Sequence, residues 1–436
     1  MKVNPLDKYH KKIEFLFPFE IYGYVSKVLG LTIESTGPLL RIGDLCKIKN
    51  EDREVLAEVV GFKDNTLILT SLSEIQGLEI GCKVYPLGPS YAPVGEDFLG
   101  RVVDALGEAL DQKRKPKPKD FYPIYGEPLK PLERDRIKEI LDVGIKALNA
   151  LLTIGRGQRV AIMSGSGVGK STLLGMIARY TSADINIIAL VGERGREVRE
   201  FIERDLQEEG LKKSVVVVAT SDKAPSLRVR AAYYATSLAE YFRDQGYKVL
   251  LLMDSLTRFC MAGREIGLAC GEPPTARGYT PSVFAMLPRL LERAGPKLKG
   301  GDITGIYTVL VEGDDFNEPI ADSVRSIADG HIVLSRELAH EGHYPAIDIL
   351  LSISRVMKDI VKEEHLSLAS EVVQILATYK RAEDLINIGA YVRGSNPEID
   401  RALELIGPLK GFLRQKIEER YTLEESLALL KKILNK

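Results

Sequence analysis

Three features are scarce in this sequence, and each excludes a class of protein. Four cysteines are present and none forms a CxxC pair, so neither a zinc site nor a disulfide framework is expected. No apolar run reaches about 18 residues and the N-terminus lacks a signal-peptide core, so we expect a cytoplasmic protein with at most peripheral membrane association. The net charge is -1, which excludes a global basic field that would attract nucleic acid.

The first 90 residues predict a short lead followed by a small β-barrel. Residues 1–18 are a basic amphipathic lead, interpreted either as a frayed terminus or as a docking segment for a partner. Residues 19–90 contain short strand-like runs separated by Gly-Pro, Lys-Asn and Asp-Asn turns, the pattern of a small barrel. These strands carry few aromatic residues and no concentration of basic ones, which argues against binding of single-stranded nucleic acid.

The remainder of the chain predicts a connector, an α/β domain and a helical domain. Residues 91–135 are rich in proline and lysine and read as an extended interdomain connector. Residues 136–355 alternate apolar strands with helices, which predicts a parallel sheet covered on both faces. The expected strands are 159–164, 185–193, 214–221, 248–255, 305–313 and 330–335, and helices are expected at 227–243 and 321–329. Residues 356–436 are expected to be helical, with helices beginning at Asn396 and Thr422.

One stretch in the α/β domain has the pattern of a phosphate-binding loop. An apolar strand is followed by a glycine-rich turn and then by the start of a helix, so that backbone N–H groups and the helix N-terminus could hold a phosphate. Lys170 would reach the β- and γ-phosphates, and the Ser171 hydroxyl would hold Mg²⁺. Ser164 stands where the pattern GxxxxGK[ST] has its first glycine. The expected nucleotide-binding residues are Gly165, Ser166, Gly167, Val168, Gly169, Lys170, Ser171 and Thr172.

Two acidic residues at strand ends extend this prediction from nucleotide binding to hydrolysis. Asp254 ends the run KVLLLMD, the arrangement of a Walker B acid that would hold the Mg²⁺ shell. Glu193 follows another strand, at the edge of the sheet where ligands of α/β proteins bind, and could polarise the attacking water. Arg194 could contact the γ-phosphate. From position alone, a surface salt-bridge cluster explains Glu193 and Arg194 equally well.

From about residue 20 to the C-terminus, the chain resembles the type III secretion ATPases, flagellar or injectisome, which are related to the catalytic subunit of rotary ATP synthases. The resemblance covers several long motifs, and Ser164 lies where the family's loop often has alanine. These motifs are GSGVGKS (165–171), VGERGREVREFIE (191–203), MDSLTRF (253–259), GEPPTARGYTPSVFAMLPRLLERAG (271–295), EGDDFNEPIADSVRSIADGHIVLSREL (312–338) and HYPAIDILLSISRV (343–356).

The resemblance implies a RecA-like P-loop NTPase core between an N-terminal β-barrel and a C-terminal helical domain, and a Mg²⁺-dependent ATPase that drives protein export. It implies that Lys170, Glu193, Arg194 and Asp254 are catalytic and that Ser171 and Asp254 bind the metal. Tyr344 would pack against adenine, and Arg355 would be an arginine finger acting on the neighbouring subunit.

The resemblance also implies partners and a location. The family forms homohexamers, and one chain that carries both the phosphate loop and the finger can complete every site in a closed ring. Stalk and stator-like regulator proteins, exported substrates and their chaperones are the implied partners, and nucleic acid is not. The expected location is the cytoplasm, peripherally at the cytoplasmic face of the inner membrane through the export gate.

Three alternative functions compete with protein export. A head subunit of a rotary ATP synthase or vacuolar-type ATPase is disfavoured, because the chain reads GERGREV rather than GERTREG and lacks a DELSEED-like acidic stretch. A non-catalytic ring subunit would lack the catalytic carboxylate, which Glu193 supplies. A Rho-like RNA translocase is disfavoured by the near-neutral charge and by the aromatic-poor barrel.

Overall fold

The computed structural model describes residues 20–50, 53–311, 313 and 315–435. The predicted lead, residues 1–18, lies outside the described residues. The chain divides into two compact units: a smaller one of residues 1–90 with 269–271, and a larger one of residues 91–268 with 272–436. Within the described part of the chain, we find no helix that combines the length and the apolar character needed to cross a membrane.

The smaller unit contains a closed six-stranded barrel, as the short strand-like runs predicted. The strands pair antiparallel in the order β1-β2-β5-β4-β3-β6. Alternate residues point inward and form a core that includes Val25, Ile33, Ile48, Leu69 and Val84. The strands are β1 (Gly23–Leu29), β2 (Thr32–Ser35), β3 (Asp44–Lys49), β4 (Glu54–Lys63), β5 (Thr66–Ser71) and β6 (Lys83–Pro89).

The larger unit is built around a mainly parallel sheet in the order β19-β18-β12-β17-β15-β13-β14-β8, with β16 paired to β17. Its strands are β8 (Arg101–Asp104), β12 (Arg159–Ser164), β13 (Ile185–Val191), β14 (Ser214–Ala219), β15 (Lys248–Asp254), β16 (Gly295–Pro296), β17 (Asp302–Leu310), β18 (Gly330–Leu334) and β19 (Ile347–Ser354). Two small sheets complete it, formed by β7 (Tyr91–Val94) with β9 (Asp120–Pro123) and by β10 (Ile140–Leu141) with β11 (Ile154–Gly155).

The helices of the larger unit cover both faces of this sheet. They are α1 (Lys146–Leu151), α2 (Lys170–Tyr180), α3 (Gly195–Glu200), α4 (Gln207–Lys212), α5 (Pro225–Asp244), α6 (Leu256–Ala269), α7 (Pro281–Leu291), α8 (Pro319–Ile327), α9 (Arg336–His340), α10 (Met357–Ile360), α11 (Glu363–Asn387), α12 (Pro397–Leu413) and α13 (Leu423–Ile433). A π-helical turn, Phe201–Leu206, joins α3 to α4, and short 3₁₀ turns lie at Glu96–Phe98, Pro131–Glu133 and Ala276–Gly278.

Alternate residues of β12 enter two different cores, which shows that the sheet is buried on both faces as predicted. Ala161 and Met163 belong to the core that includes buried residues of α5, α6 and α7. Val160 and Ile162 belong to the core that includes residues of α1 and α2 together with the C-terminal helices α11, α12 and α13. Continuous apolar strands are stable here because both of their faces are removed from water.

The sheet differs from the sequence prediction at its two edges. β19 was not predicted as a strand, and it pairs antiparallel with β18, so the sheet is not parallel throughout. At the other edge, β8 pairs in parallel with β14 although residues 91–135 were expected to form only an extended connector. β8 is a four-residue edge strand whose partner lies more than 100 residues away in the sequence, and local patterns carry little information about such a pairing. β19 pairs with the strand that precedes it in the chain, but as an edge strand it depends on that pairing for its conformation.

The C-terminal helices begin at the residues that the sequence predicted. Asn396 caps α12, because its side-chain oxygen accepts hydrogen bonds from the N–H groups of Glu398 and Ile399. Thr422 caps α13 in a reciprocal arrangement with Glu425. Each cap satisfies N–H groups that have no partner inside the helix. These caps fix where the helices that pack beside α1 begin.

Candidate nucleotide site

The loop between β12 and α2 has the geometry of a phosphate cradle. Gly167 and Gly169 have φ values of +79° and +88°, a region that strongly favours glycine. Gly169 is the N-cap of α2 and provides no side-chain cap, so the first N–H groups of this helix face the loop. Ser164 is buried, and its Oγ atom has no hydrogen-bond partner among the described residues. The local backbone therefore suits an anion placed at the start of α2.

Three charged side chains meet at the carboxyl end of the sheet. Lys170 begins α2, Glu193 follows β13, and Asp254 ends β15. The Nζ atom of Lys170 donates a hydrogen bond to Asp254 Oδ1 and lies 3.6 Å from Glu193 Oε1. Thr308, on the strand between β12 and β15, donates its hydroxyl to Asp254 Oδ1 at 2.7 Å. The fold thus brings these three residues together although Lys170 and Asp254 are 84 positions apart in the sequence.

Burial changes the acidity of this cluster. Burial raises the pKa of Glu193 to about 7, the nearby Asp254 adds to the rise, and Lys170 opposes it. Burial disfavours the charge on Lys170, but Asp254 and Glu193 together hold its pKa above the usual value. A carboxylic acid whose pKa lies near neutrality is suited to accept a proton from water at physiological pH.

Two arginines differ in their relation to this cluster. Arg194 is exposed at the start of α3 and lies 3.4 Å from Glu197, so the structure does not bring it to Lys170. Arg258, on α6, packs against Gly192 directly before Glu193, and its buried Nε atom has no hydrogen-bond partner among the described residues. Sequence reasoning missed Arg258. The signal that could have found it is its place four residues after the strand-end Asp254, in the quoted stretch MDSLTRF.

Tyr344 lies on the other side of the phosphate loop. A Cβ atom added to Gly169 would lie 3.3 Å from Tyr344 Cε1, so the ring closely approaches the loop. The ring lines a cavity of about 870 Å³ that also reaches α2 and the segment after α12. Residues that line it include Lys146, Thr172, Tyr344, Gln415 and Tyr421. An aromatic ring, an apolar floor and a neighbouring phosphate loop make this cavity suitable for a nucleobase.

Gln415 holds one wall of this cavity in place. Its backbone N–H donates to the carbonyl of Tyr344 at 3.0 Å. Its buried side chain accepts from the N–H of Lys146 at 2.9 Å and donates to the carbonyl of Gly144 at 2.9 Å. Because Gln415 follows α12 by two residues, these bonds join the C-terminal helices to the base cavity.

Arg355 lies at the opposite end of the sheet from its own phosphate loop. Ser164 pairs with Leu334 at the carboxyl end of β18, whereas Ser354 pairs with Gly330 at the start of that strand. Four residues of extended strand separate these two levels, roughly 13 Å at the usual rise of a strand. The structure therefore does not bring Arg355 to the Lys170 of the same chain.

Comparisons with known proteins agree with this geometry. The ATP synthase alpha/beta family nucleotide-binding domain matches residues 144–354, the beta-barrel domain of the same family matches residues 25–88, and the T3SS EscN ATPase C-terminal domain matches residues 361–432. The flagellum-specific ATP synthase of Bacillus subtilis (strain 168) is 54% identical over 422 residues, which are 96% of each chain. The chain belongs to the flagellar and type III secretion ATPases.

Solved structures of this ATPase family share the whole fold. The assembled ATPase EscN from the enteropathogenic E. coli type III secretion system matches with a TM-score of 0.89 and 45% identity, over 94% of this chain and all of that one. EscN in complex with its central stalk EscO matches with a TM-score of 0.88 at the same identity and coverage. The predicted RecA-like core, N-terminal barrel and C-terminal helices are confirmed. The C-terminal match separates this ATPase from the head subunits of rotary ATP synthases.

Proposed function

We propose that this ATPase drives a type III protein-export apparatus, flagellar or injectisome, and that it hydrolyses ATP at the interfaces of a homohexameric ring. The observation that carries this proposal is the position of Arg355, which lies at the far end of the sheet from its own phosphate loop. A second copy of the chain would supply the finger that the first copy cannot bring to its own nucleotide. A head-to-tail contact that closes into a ring gives every subunit the same complete site.

Each residue of the candidate site has a proposed role in ATP hydrolysis. The backbone of residues 165–169 and the start of α2 hold the phosphates, and Lys170 moves from Asp254 and Glu193 to the β- and γ-phosphates. Tyr344 packs against the adenine. Glu193 orients the attacking water and accepts its proton, since burial poises its pKa at about 7. Arg258 and Arg194 are candidates to neutralise the γ-phosphate, and Arg355 does so from the neighbouring subunit.

The same residues fit Mg²⁺. The carboxylates of Glu193 and Asp254 both face Lys170, and Ser171 is the second residue of α2. Carboxylate and hydroxyl oxygens are the ligands that Mg²⁺ prefers. Ser171 and Asp254 would hold the ion. Bound there, Mg²⁺ supplies neutralisation of the charge that develops on the phosphates. Departure of Lys170 toward the nucleotide leaves a negative pair that a divalent cation compensates.

The proposed partners follow from the relatives. EscN is described with the central stalk EscO, which supports a stalk protein inside the ring of this chain. A stator-like regulator, exported substrates and their chaperones complete the proposed set. We place the protein in the cytoplasm, at the cytoplasmic face of the inner membrane, where it would meet the export gate.

Mixing two inactive variants tests the shared site. The Lys170→Ala chain keeps Arg355 but cannot hold the phosphates, and the Arg355→Ala chain keeps Lys170 but supplies no finger. ATPase activity should return when the two are assembled together, because some interfaces then combine Lys170 with Arg355. A mixture that stays as inactive as its components contradicts the shared site.

A pull-down from the native cell tests the export assignment separately. The Lys170→Ala protein serves as bait, and stalk and export components are expected among the retained proteins. Recovery of the subunits of a rotary ATP synthase instead would overturn the assignment to protein export.

A further inference from the structure

Arg355 is hydrogen-bonded within its own chain to residues at and just after the C-terminal end of α8. Its backbone N–H donates to the carbonyl of Asp329 at 3.0 Å. Its guanidinium donates from Nη1 to the carbonyl of Ala328 and from Nη2 to the carbonyl of Arg325, both at 3.2 Å. The carbonyls of Arg325 and Ala328 lie at the C-terminal end of α8, which carries partial negative charge and attracts a cation. The position of Arg355 therefore depends on where residues 325–329 lie.

Residues 328–329 are fixed in turn by Arg159. The carboxylate of Asp329 accepts hydrogen bonds from the backbone N–H, the Nε and the Nη2 of Arg159 at 3.0, 3.1 and 3.2 Å. The backbone N–H of Asp329 donates to the carbonyl of Arg159 at 2.8 Å. Arg159 also pairs with Glu292. The side chains of Arg159 and Asp329 are only 16% and 24% exposed, and a forked guanidinium–carboxylate pair of this kind fixes orientation as well as charge.

The anchor sits on the strand that carries the phosphate loop. Arg159 is the first residue of β12, and Ser164 is the last. One strand thus presents the loop of its own site at the carboxyl end and holds the support of Arg355 at the amino end. A change in the position of β12 would move both.

We propose that Asp329, clamped by Arg159, is a positioning residue for Arg355 and sets how the finger is presented to the nucleotide of a second copy of this chain. Asp329 does not touch the nucleotide, and it acts only through Arg355. This inference rests on the proposed function of Arg355. A displacement of a catalytic group by about 1 Å can cost roughly 100-fold in rate, so loss of this anchor should be visible in kcat.

The mixed assembly of inactive variants isolates this effect. The Lys170→Ala chain donates the finger, and the Arg355→Ala chain supplies the phosphate loop. Asp329→Ala is introduced into one chain at a time. In the finger-donating chain it should lower the restored kcat about 10- to 100-fold, with KM for ATP unchanged. In the loop-supplying chain, which has no finger to position, it should change kcat by no more than about twofold.

Two conservative variants sharpen the comparison. Asp329→Asn keeps an oxygen that can accept from Arg159 and should recover part of the lost rate. Arg159→Lys keeps the charge but loses the fork, and it should lower kcat only when carried by the finger-donating chain. Each substitution is placed first in one chain and then in the other. Any effect on folding or assembly is therefore the same in both placements, and only an effect on the finger differs.

Three results would overturn the inference. The first is an unchanged restored kcat when Asp329→Ala is in the finger-donating chain. The second is an equal loss of kcat from either chain, which assigns Asp329 to folding alone. A rise in KM without a fall in kcat assigns it to nucleotide binding. The Lys170→Ala and Arg355→Ala chains are also mixed without any Asp329 substitution. If that mixture regains no activity, the shared site itself is refuted, and this result is distinct from the three above.

Discussion

The Nζ atom of Lys170 lies 3.6 Å from Glu193 Oε1 while donating a hydrogen bond to Asp254, so one ammonium group serves both carboxylates. In the proposed site, the charge that would meet the phosphates is held in place before the nucleotide arrives. Binding of ATP would replace these contacts by contacts with the phosphates and leave the carboxylates to the metal and to water.

Replacement of Lys170 by alanine should lower kcat about 10²–10³-fold, the range for the loss of one preorganised donor to transition-state charge. The measurement is steady-state ATP hydrolysis at saturating nucleotide. Lys223→Ala is the matched control, because its side chain is 57% exposed and its partner, Asp222, is 3.9 Å away. Equal effects of the two substitutions would show that charge alone, and not position, matters.

The pH dependence of kcat/KM should reflect Glu193. Its raised pKa of about 7 means that the carboxylate form grows as the pH rises through neutrality, so activity should rise over the same range. Glu193→Gln should be slower by about 10²–10⁴-fold and should lack this limb of the profile. A limb that persists unchanged in the Gln variant would assign the titration to another group.

Removal of the finger should separate binding from hydrolysis. Arg355→Ala should lower kcat about 10³–10⁵-fold, since the finger acts on transition-state charge, while a fluorescent ATP analogue still binds. Wild-type activity per subunit should rise with protein concentration as rings form. Arg199→Ala, at a side chain that is 79% exposed, is the control and should be silent. Activity that is independent of concentration, with Arg355→Ala fully active, would contradict a shared site.

Tyr344 should affect the base rather than the phosphates. Stacking of a base on an aromatic ring is worth about 1–3 kcal/mol, so Tyr344→Ala should raise KM for ATP roughly 5- to 100-fold with little change in kcat. Tyr344→Phe keeps the ring and should behave like the wild type. Inorganic tripolyphosphate has no base, so the wild type and both variants should hydrolyse it at the same rate. A lower rate of tripolyphosphate hydrolysis in Tyr344→Ala alone would place the ring at the phosphates.

Local patterns were sufficient for the parts of the site that lie within one strand–loop–helix unit. β12 has the bounds Arg159–Ser164 that its apolar run predicted, and Lys170 begins α2 where the glycine loop ends. A buried strand and a glycine turn have strong signals because their own residues determine them. Asp254 ends β15 at the end of its apolar run, as expected. β13 ends at Val191, two residues before the predicted end at Glu193, because the apolar run stops there and Gly192 adopts a positive φ.

The parts that local patterns missed depend on strand order. Arg258 enters the site because β13 and β15 are neighbours, which places the start of α6 beside Gly192. β19 exists as an edge strand because β18 offers it a partner, and its antiparallel direction puts Arg355 at the far end of the sheet. Which strands pair, and in which direction, is decided by packing of the whole unit, which sequence periodicity does not specify.

The hydrogen bonds of Gln415 link the C-terminal helices to the cavity proposed for the base. Gln415 follows α12 and is hydrogen-bonded to Tyr344 and Lys146, which line this cavity, and to Gly144. A torque that a stalk exerts on these helices would therefore be felt by the base before it is felt by the phosphates. Release of the spent nucleotide would begin with the loss of contacts to adenine and end with the loss of contacts to the phosphates.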